Sequence, residues 1–262
     1  MSKIHTVPAR APNRFRGDYM PCLPRKSPVH HGRMVLIAAV LALLPLLAQA
    51  DQLWSVHAFG LRVGELTVDM QESGARYRAK SQFKTTGLAG VVATIRFDIQ
   101  VSGARSGDVF DPALYRGNIH TGRRQSVTAL DFSGAVPRKT EGDDAPAVPI
   151  DDAALRGAVD PMTMMWQVLR SRATPCRVDG RQYDGTRLVA IRLLRSRQEG
   201  ENLVCEGAYH RLGGYTQEEL DEITVTPLEV TFVRSGEVWR AEKVWVKTRH
   251  GPATLKRRDT QP

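Results

Sequence analysis

Cysteine is scarce in this chain, with three among 262 residues. Cys176 and Cys205 do not form the C-x-x-C spacing of a disulfide oxidoreductase, which that chemistry needs to bring two thiols together. Two cysteines without clustered histidines do not make a zinc set either. His57, His120, His210 and His250 are far apart, and none has a metal-like partner two or four positions on. There is no G-x-S-x-G elbow, Walker loop, H-E-x-x-H or dinucleotide glycine fingerprint. Catalytic residues, a metal and a cofactor are therefore not expected. A Ser/His/Asp set assembled from scattered residues has no sequence argument behind it.

An excess of basic charge is lacking too, once the chain is divided. The formal net charge is +9. Residues 1–50 carry seven basic side chains against the single acid Asp18, which is +6 and leaves +3 for residues 51–262. A nucleic-acid partner is not expected. Nor is there an apolar run of membrane-spanning length, since Met34 to Leu47 is about 14 residues against the ~20 a helix needs.

That run is instead the core of a secretory signal. A basic stretch ends at Arg33, the apolar segment follows, and Ala48-Gln49-Ala50 is an A-x-A cleavage site. The reading divides the chain into a leader and signal, 1–50, and one exported β-rich domain, 51–262, that begins at Asp51 in the periplasm. An uncleaved N-terminal anchor is the rival reading. The basic stretch is unusually long, which leaves Met1, Met20 and Met34 open as translation starts. No cysteine directly follows the cleavage site, so a lipid anchor is not expected, and Cys22 leaves with the signal.

What is present after Asp51 is alternation of apolar and polar residues. In Arg62–Gln71, Leu66, Val68 and Met70 share one face. In Thr94–Ser102, Ile95, Phe97, Ile99 and Val101 do the same. Period two with one wet face is the mark of an antiparallel sheet. Further strands are predicted over Tyr77–Thr85, Leu114–His120, Gln125–Phe132, Thr186–Leu194, Leu228–Arg234, Val238–Thr248 and Thr254–Lys256. Gly87-Leu88-Ala89-Gly90 and Asp111-Pro112 read as turns, and 134–152 reads as a mobile Pro-rich connection. About ten to twelve strands in one sheet must curl to limit their edges. The expected fold is mainly β: a single antiparallel sheet curled into a barrel-like or spiral β-roll.

One amphipathic helix is expected, over about 161–172. Asp160 suits the N-cap and Pro161 the first helical position. Met162, Met165, Trp166 and Leu169 recur at helical spacing on one face. Such a stripe packs in a core, or its flexible thioethers line a pocket for an apolar ligand. These four are the candidate ligand-binding residues. Pro175 closes the helix ahead of Cys176.

Cys176 and Cys205 bracket a strand and are predicted to form a disulfide, as an exported chain allows. Two buried free thiols are the alternative. Tyr183-Asp184-Gly185 reads as a turn, and the Arg187, Arg192, Arg195 and Arg197 series as a solvated face rather than an anion site.

The order of several motifs carries a resemblance. They are Gly60-x-x-Val63-Gly64, Gly87-Leu88, Asp111-Pro112-x-x-Tyr115, Asp160-Pro161, Cys176, Tyr183-Asp184-Gly185-x-Arg187, Cys205-x-x-x-Tyr209, Gly213-Gly214-Tyr215 and a closing strand before Gly251. Together they resemble the bacterial exported family catalogued as domain of unknown function 3108, over nearly all of the chain after Asp51. The long basic leader departs from it. The resemblance implies a periplasmic β-rich protein, similar to the spiral β-sheet proteins of the cell envelope, with no agreed activity. The expected function is non-enzymatic, in envelope integrity or assembly, with a lipid, another apolar ligand or an envelope protein as partner in the concavity of the sheet. An envelope hydrolase or polysaccharide-modifying enzyme, and a scaffold without a small ligand, are the alternatives. Oligomeric state is left open.

Overall fold

A computed structural model describes residues 48–258, apart from Ala93, Arg123, Arg249 and His250. The expected leader and signal, as far as residue 47, lie outside the described residues.

The chain opens with a meander: β1 (Ala48–Ala58), β2 (Leu61–Ser73) and β3 (Arg76–Thr85), the short α1 (Gly87–Val92), then β4 (Arg96–Ser106), β5 (Val109–His120) and β6 (Gln125–Asp131). A four-residue strand, β7 (Arg138–Glu141), precedes the two helices α2 (Asp152–Leu155) and α3 (Pro161–Leu169). The second half runs through β8 (Val178–Tyr183), β9 (Leu188–Glu199) and β10 (Asn202–Gly213), then α4 (Gln217–Glu222). It closes with β11 (Val225–Ser235), β12 (Val238–Thr248) and β13 (Gly251–Arg257).

All thirteen strands form one antiparallel sheet in the order β7-β6-β5-β4-β3-β2-β1-β13-β12-β11-β10-β9-β8. The last strand thus closes against the first, and the two halves fan out from that seam. The sheet curls but does not close into a barrel. At Gly185, in the β8–β9 turn, a Cβ would lie 2.9 Å from Thr128 Cγ2 of β6 and 3.3 Å from Lys139 Cε of β7. The two ends of the sheet therefore come into van der Waals contact without pairing.

Alternation places one apolar face inside the curl. Leu66, Val68 and Met70 on β2 are buried as the pattern predicts, and they join Trp54, Tyr77, Val101, Phe110, Leu193 and Phe232 in one core. Inside the curl lies α3, packed against β8, β3 and β4. Asp160 caps it, its Oδ1 accepting from the N–H groups of Met162 at 2.8 Å and Thr163 at 3.0 Å. Because walls stand on more than one side, Met164 and Val168 are buried along with Met162, Trp166 and Leu169, while Met165 is half-buried. Burial is therefore wider than the single stripe that helical spacing suggested.

Several expectations are corrected. The helix ends at Leu169, not near 172, because Arg170 is extended. Arg172 then exchanges two backbone hydrogen bonds with Trp239, satisfying the part of β12 that lies beyond the end of β13. Asp111-Pro112 is not a turn but lies within β5, where Pro112 faces Gly103 across a bulge. A Cβ on Gly103 would lie 2.8 Å from Pro112 Cα, so the glycine makes room for a residue that sheets otherwise exclude. The Gly87–Gly90 stretch is helical rather than a turn. The segment 134–152 contains β7, which pairs with β6, and Arg138 on it binds both carboxylate oxygens of Asp152 at 2.8 and 2.7 Å.

Candidate functional site

The motifs of the second half converge at one end of the sheet. Asp184 builds the β8–β9 turn, its Oδ1 accepting from the N–H groups of Thr186 at 2.8 Å and Arg187 at 2.7 Å. The Tyr183 hydroxyl donates to Gly185 O at 2.9 Å. These bonds aim Arg187 toward the β10–β11 connection. There Gly214 adopts φ +84°, and a Cβ on it would stand 2.1 Å from Thr186 O. Glycine is needed both for the backbone and for the close approach.

Tyr215 follows directly and is 9% exposed. Its hydroxyl lies 3.2 Å from that of Tyr209. The Arg187 and Arg211 guanidinium carbons lie 4.5 and 4.9 Å from the centre of the Tyr215 ring, within cation–π range. Arg187 also pairs with Glu219 at 2.8 Å, and Arg211 donates to the Glu219 carbonyl at 2.5 Å. Glu219 belongs to a capping box with Thr216. The Thr216 backbone N–H, followed by Arg187 and Arg211, holds its carboxyl below the usual range. Burial raises both tyrosine hydroxyls, so they stay protonated and can donate.

These residues border a cavity of about 420 Å³, lined by Tyr209, Arg211, Tyr215 and Ile223 with Thr226, Val246 and Thr248 from β11 and β12. Strand alternation places it on the core face. Tyr209 lies four positions from buried Cys205, and Val246 two from buried Val244. The site is therefore the mouth of the curl, with aromatic and aliphatic walls, hydroxyls and a cation.

Deeper inside lies a second polar group. Asp160 is fully buried and its Oδ2 has no partner. Loss of hydration pushes its carboxyl up to about 6, against the pull of the helix N–H groups. The Tyr77 hydroxyl lies 2.7 Å from Thr163 Oγ1, and burial, followed by the Asp160 charge, raises both Tyr77 and Tyr115.

The structure joins Cys176 and Cys205 in a disulfide with Cα atoms 5.1 Å apart. Cys176 lies ahead of β8, so the bond ties the segment leaving α3 to β10 across β9. Of the four helix residues considered for ligand binding, Met162, Trp166 and Leu169 are 0, 5 and 2% exposed and part of the core. Met165 packs at its margin. None of the four lines the cavity at the mouth. Arg192, Arg195 and Arg197 pair with carboxylates of Asp179, Glu206, Glu199 and Glu229, as a solvated face does. Arg187 departs from that series. No sequence motif marks Arg211, Glu219, Ile223 or Val246 as a site residue. One available signal, the T-x-x-E spacing of Thr216 and Glu219, marks a helix start. Among the described residues no group of three His, Cys, Asp or Glu could hold a metal ion, and no helix is long and apolar enough to cross a membrane.

Residues 53–202 match the family described as "Protein of unknown function (DUF3108)", and the chain belongs to it. No curated protein matches. Among solved structures, the chain is similar to a beta-barrel-like protein of domain of unknown function DUF1849 from Brucella abortus. That likeness has 9% identity and a TM-score of 0.45, covering 81% of this chain and 97% of the other.

Proposed function

We propose that this is a non-enzymatic periplasmic protein that serves envelope integrity or assembly by holding one amphipathic molecule at the mouth of its curled sheet. The cavity beside Tyr209 and Tyr215 carries the reading. Ile223, Val246 and the two rings offer an apolar wall, while Arg211 and two protonated hydroxyls converge on one polar end. Ligand sites combine mostly apolar walls with a few placed polar groups. A lipid with an acyl chain and an anionic or hydroxyl-rich head has that chemistry.

Export is supported by the signal pattern of residues 1–50 and by the disulfide, a bond characteristic of oxidising compartments. Protein recovered from the periplasm is expected to begin Asp51-Gln52-Leu53. Intact chain in the membrane fraction would overturn that.

Native mass spectrometry of the protein recovered from its own cells tests the binding. A bound lipid-sized mass is expected, lost in Arg211→Ala with the fold intact by circular dichroism. Bare protein that also takes up no added lipid would defeat the reading.

A further inference from the structure

The β1–β2 turn is built in an unfavourable way. Ala58 pairs with Leu61, leaving a two-residue loop in which Phe59 has φ 52° and Gly60 φ 79°. Two-residue hairpin turns need positive φ at both positions, which selects Asn-Gly or Asp-Gly. A bulky residue there is an outlier, and Phe59 is the one non-glycine residue with positive φ among those described. Such strain persists where surrounding structure holds it, and it concentrates at functional sites.

Here the holding contacts are visible. The Phe59 N–H donates to Pro252 O at 3.3 Å. The ring lies over Gly251, where a Cβ would stand 2.6 Å from Phe59 Cε1. Yet this supported ring is not buried. Phe59 is 68% exposed, and Leu61 on the other side of Gly60 is 72% exposed. The turn spends a strained backbone to present two large apolar side chains to the outside.

Charge around the tip is mainly positive. Within the last five residues of β2, β3, β4 and β12 at this end, Arg62, Lys84, Arg96 and Lys247 are exposed, against the two carboxylates Glu65 and Asp98. The position of the tip adds to this. Gly251 under the Phe59 ring pairs with Thr248, which lines the cavity at the mouth.

We infer that the Phe59-Gly60-Leu61 tip is a membrane-docking element that inserts into the interface of an anionic lipid surface. Aromatic and aliphatic side chains settle at the boundary of headgroups and acyl chains, and surface binding grows with buried apolar area plus attraction to anionic lipid. Docking in this way places the mouth of the curl against the bilayer. The inference stands on the tip alone and holds whether or not the cavity takes a lipid.

The test compares the protein recovered from its own cells, its N-terminus determined, with the double variant Phe59→Asn/Leu61→Gln. Asparagine suits the left-handed backbone, so the variant should melt at or above the wild-type temperature while losing both apolar groups. Wild type should sediment with phosphatidylglycerol-containing vesicles, at least tenfold more weakly with phosphatidylcholine alone, and at least tenfold more weakly as the variant. A Phe59→Trp protein should show a blue-shifted emission when anionic vesicles are added. No sedimentation of wild type, equal sedimentation of the variant, or indifference to lipid charge would each overturn the inference. So would a wild-type dimer abolished in the variant without vesicle binding, which would make a second copy the occupant of the tip.

Discussion

Met164 of α3 occupies the space left open by Gly180 of β8. A Cβ at that glycine would lie 2.6 Å from Met164 Cε and 3.6 Å from its sulfur. The contact sets how closely the helix approaches the end of the sheet, and so how far the curl tightens around it.

Gly180→Ala should therefore push against the Met164 thioether. Because Cε is the free end of a flexible side chain, the loss should be at or below about 1 kcal/mol. In the pair with Met164→Ala, itself a core truncation costing about 2–5 kcal/mol, that extra loss should vanish. Thermal melts of the single and double variants measure the coupling. Strictly additive effects would mean that the helix is not held at this point.

Trp166 is 5% exposed and packed in the core. Trp166→Ala should cost about 3–5 kcal/mol, as large-to-small core changes do. Denaturant unfolding checks this, and an unchanged midpoint would mean that the helix does not pack inside the curl.

The Cys176–Cys205 bond closes a separation of 29 residues, for which the chain-entropy account gives ~3–4 kcal/mol. Cys176→Ser/Cys205→Ser should lose stability of that order and leave ligand preference unchanged. Thiol titration of the denatured, unreduced protein should find neither cysteine free. Two free thiols would remove the staple.

Asp160 gives a pH dependence of unusual sign for a carboxylate. Its folded value, about 6, lies above the ordinary one, so the native state holds the proton more tightly than the unfolded chain. The stabilising contribution is complete below about pH 4 and is lost as pH rises through about 6, in total about 3 kcal/mol. Asp160→Asn keeps an acceptor for the Met162 and Thr163 N–H groups and carries no charge. Stability of wild type minus that of the variant should fall between pH 4 and 6. A flat difference would show that the carboxyl keeps an ordinary value.

Alternation along β2 and β4, the Asp160-Pro161 helix start and the two cysteines were legible in the sequence because each depends on near neighbours or on residue chemistry alone. They determined an antiparallel sheet, a capped helix and the residues of the staple. The strand β7 was not legible, since its four residues Arg138–Glu141 are polar and take their conformation from pairing with β6. Pro112 looked like a turn because the bulge and the bare glycine opposite it belong to another strand. The site divides in the same way. Tyr183–Arg187, Tyr209 and Gly213–Tyr215 stood out as motifs, but nothing local joins them to Glu219, Ile223 or Val246. Strand pairing does that: Gly213 faces Leu188, which sets the β8–β9 turn beside the β10–β11 connection, while Tyr209 faces Thr226 and Leu228 faces Val246, which brings β11 and β12 alongside. Alternation determines which side chains share a face. Which of them meet around a cavity is decided by sheet order and curvature, through contacts between residues distant in the chain.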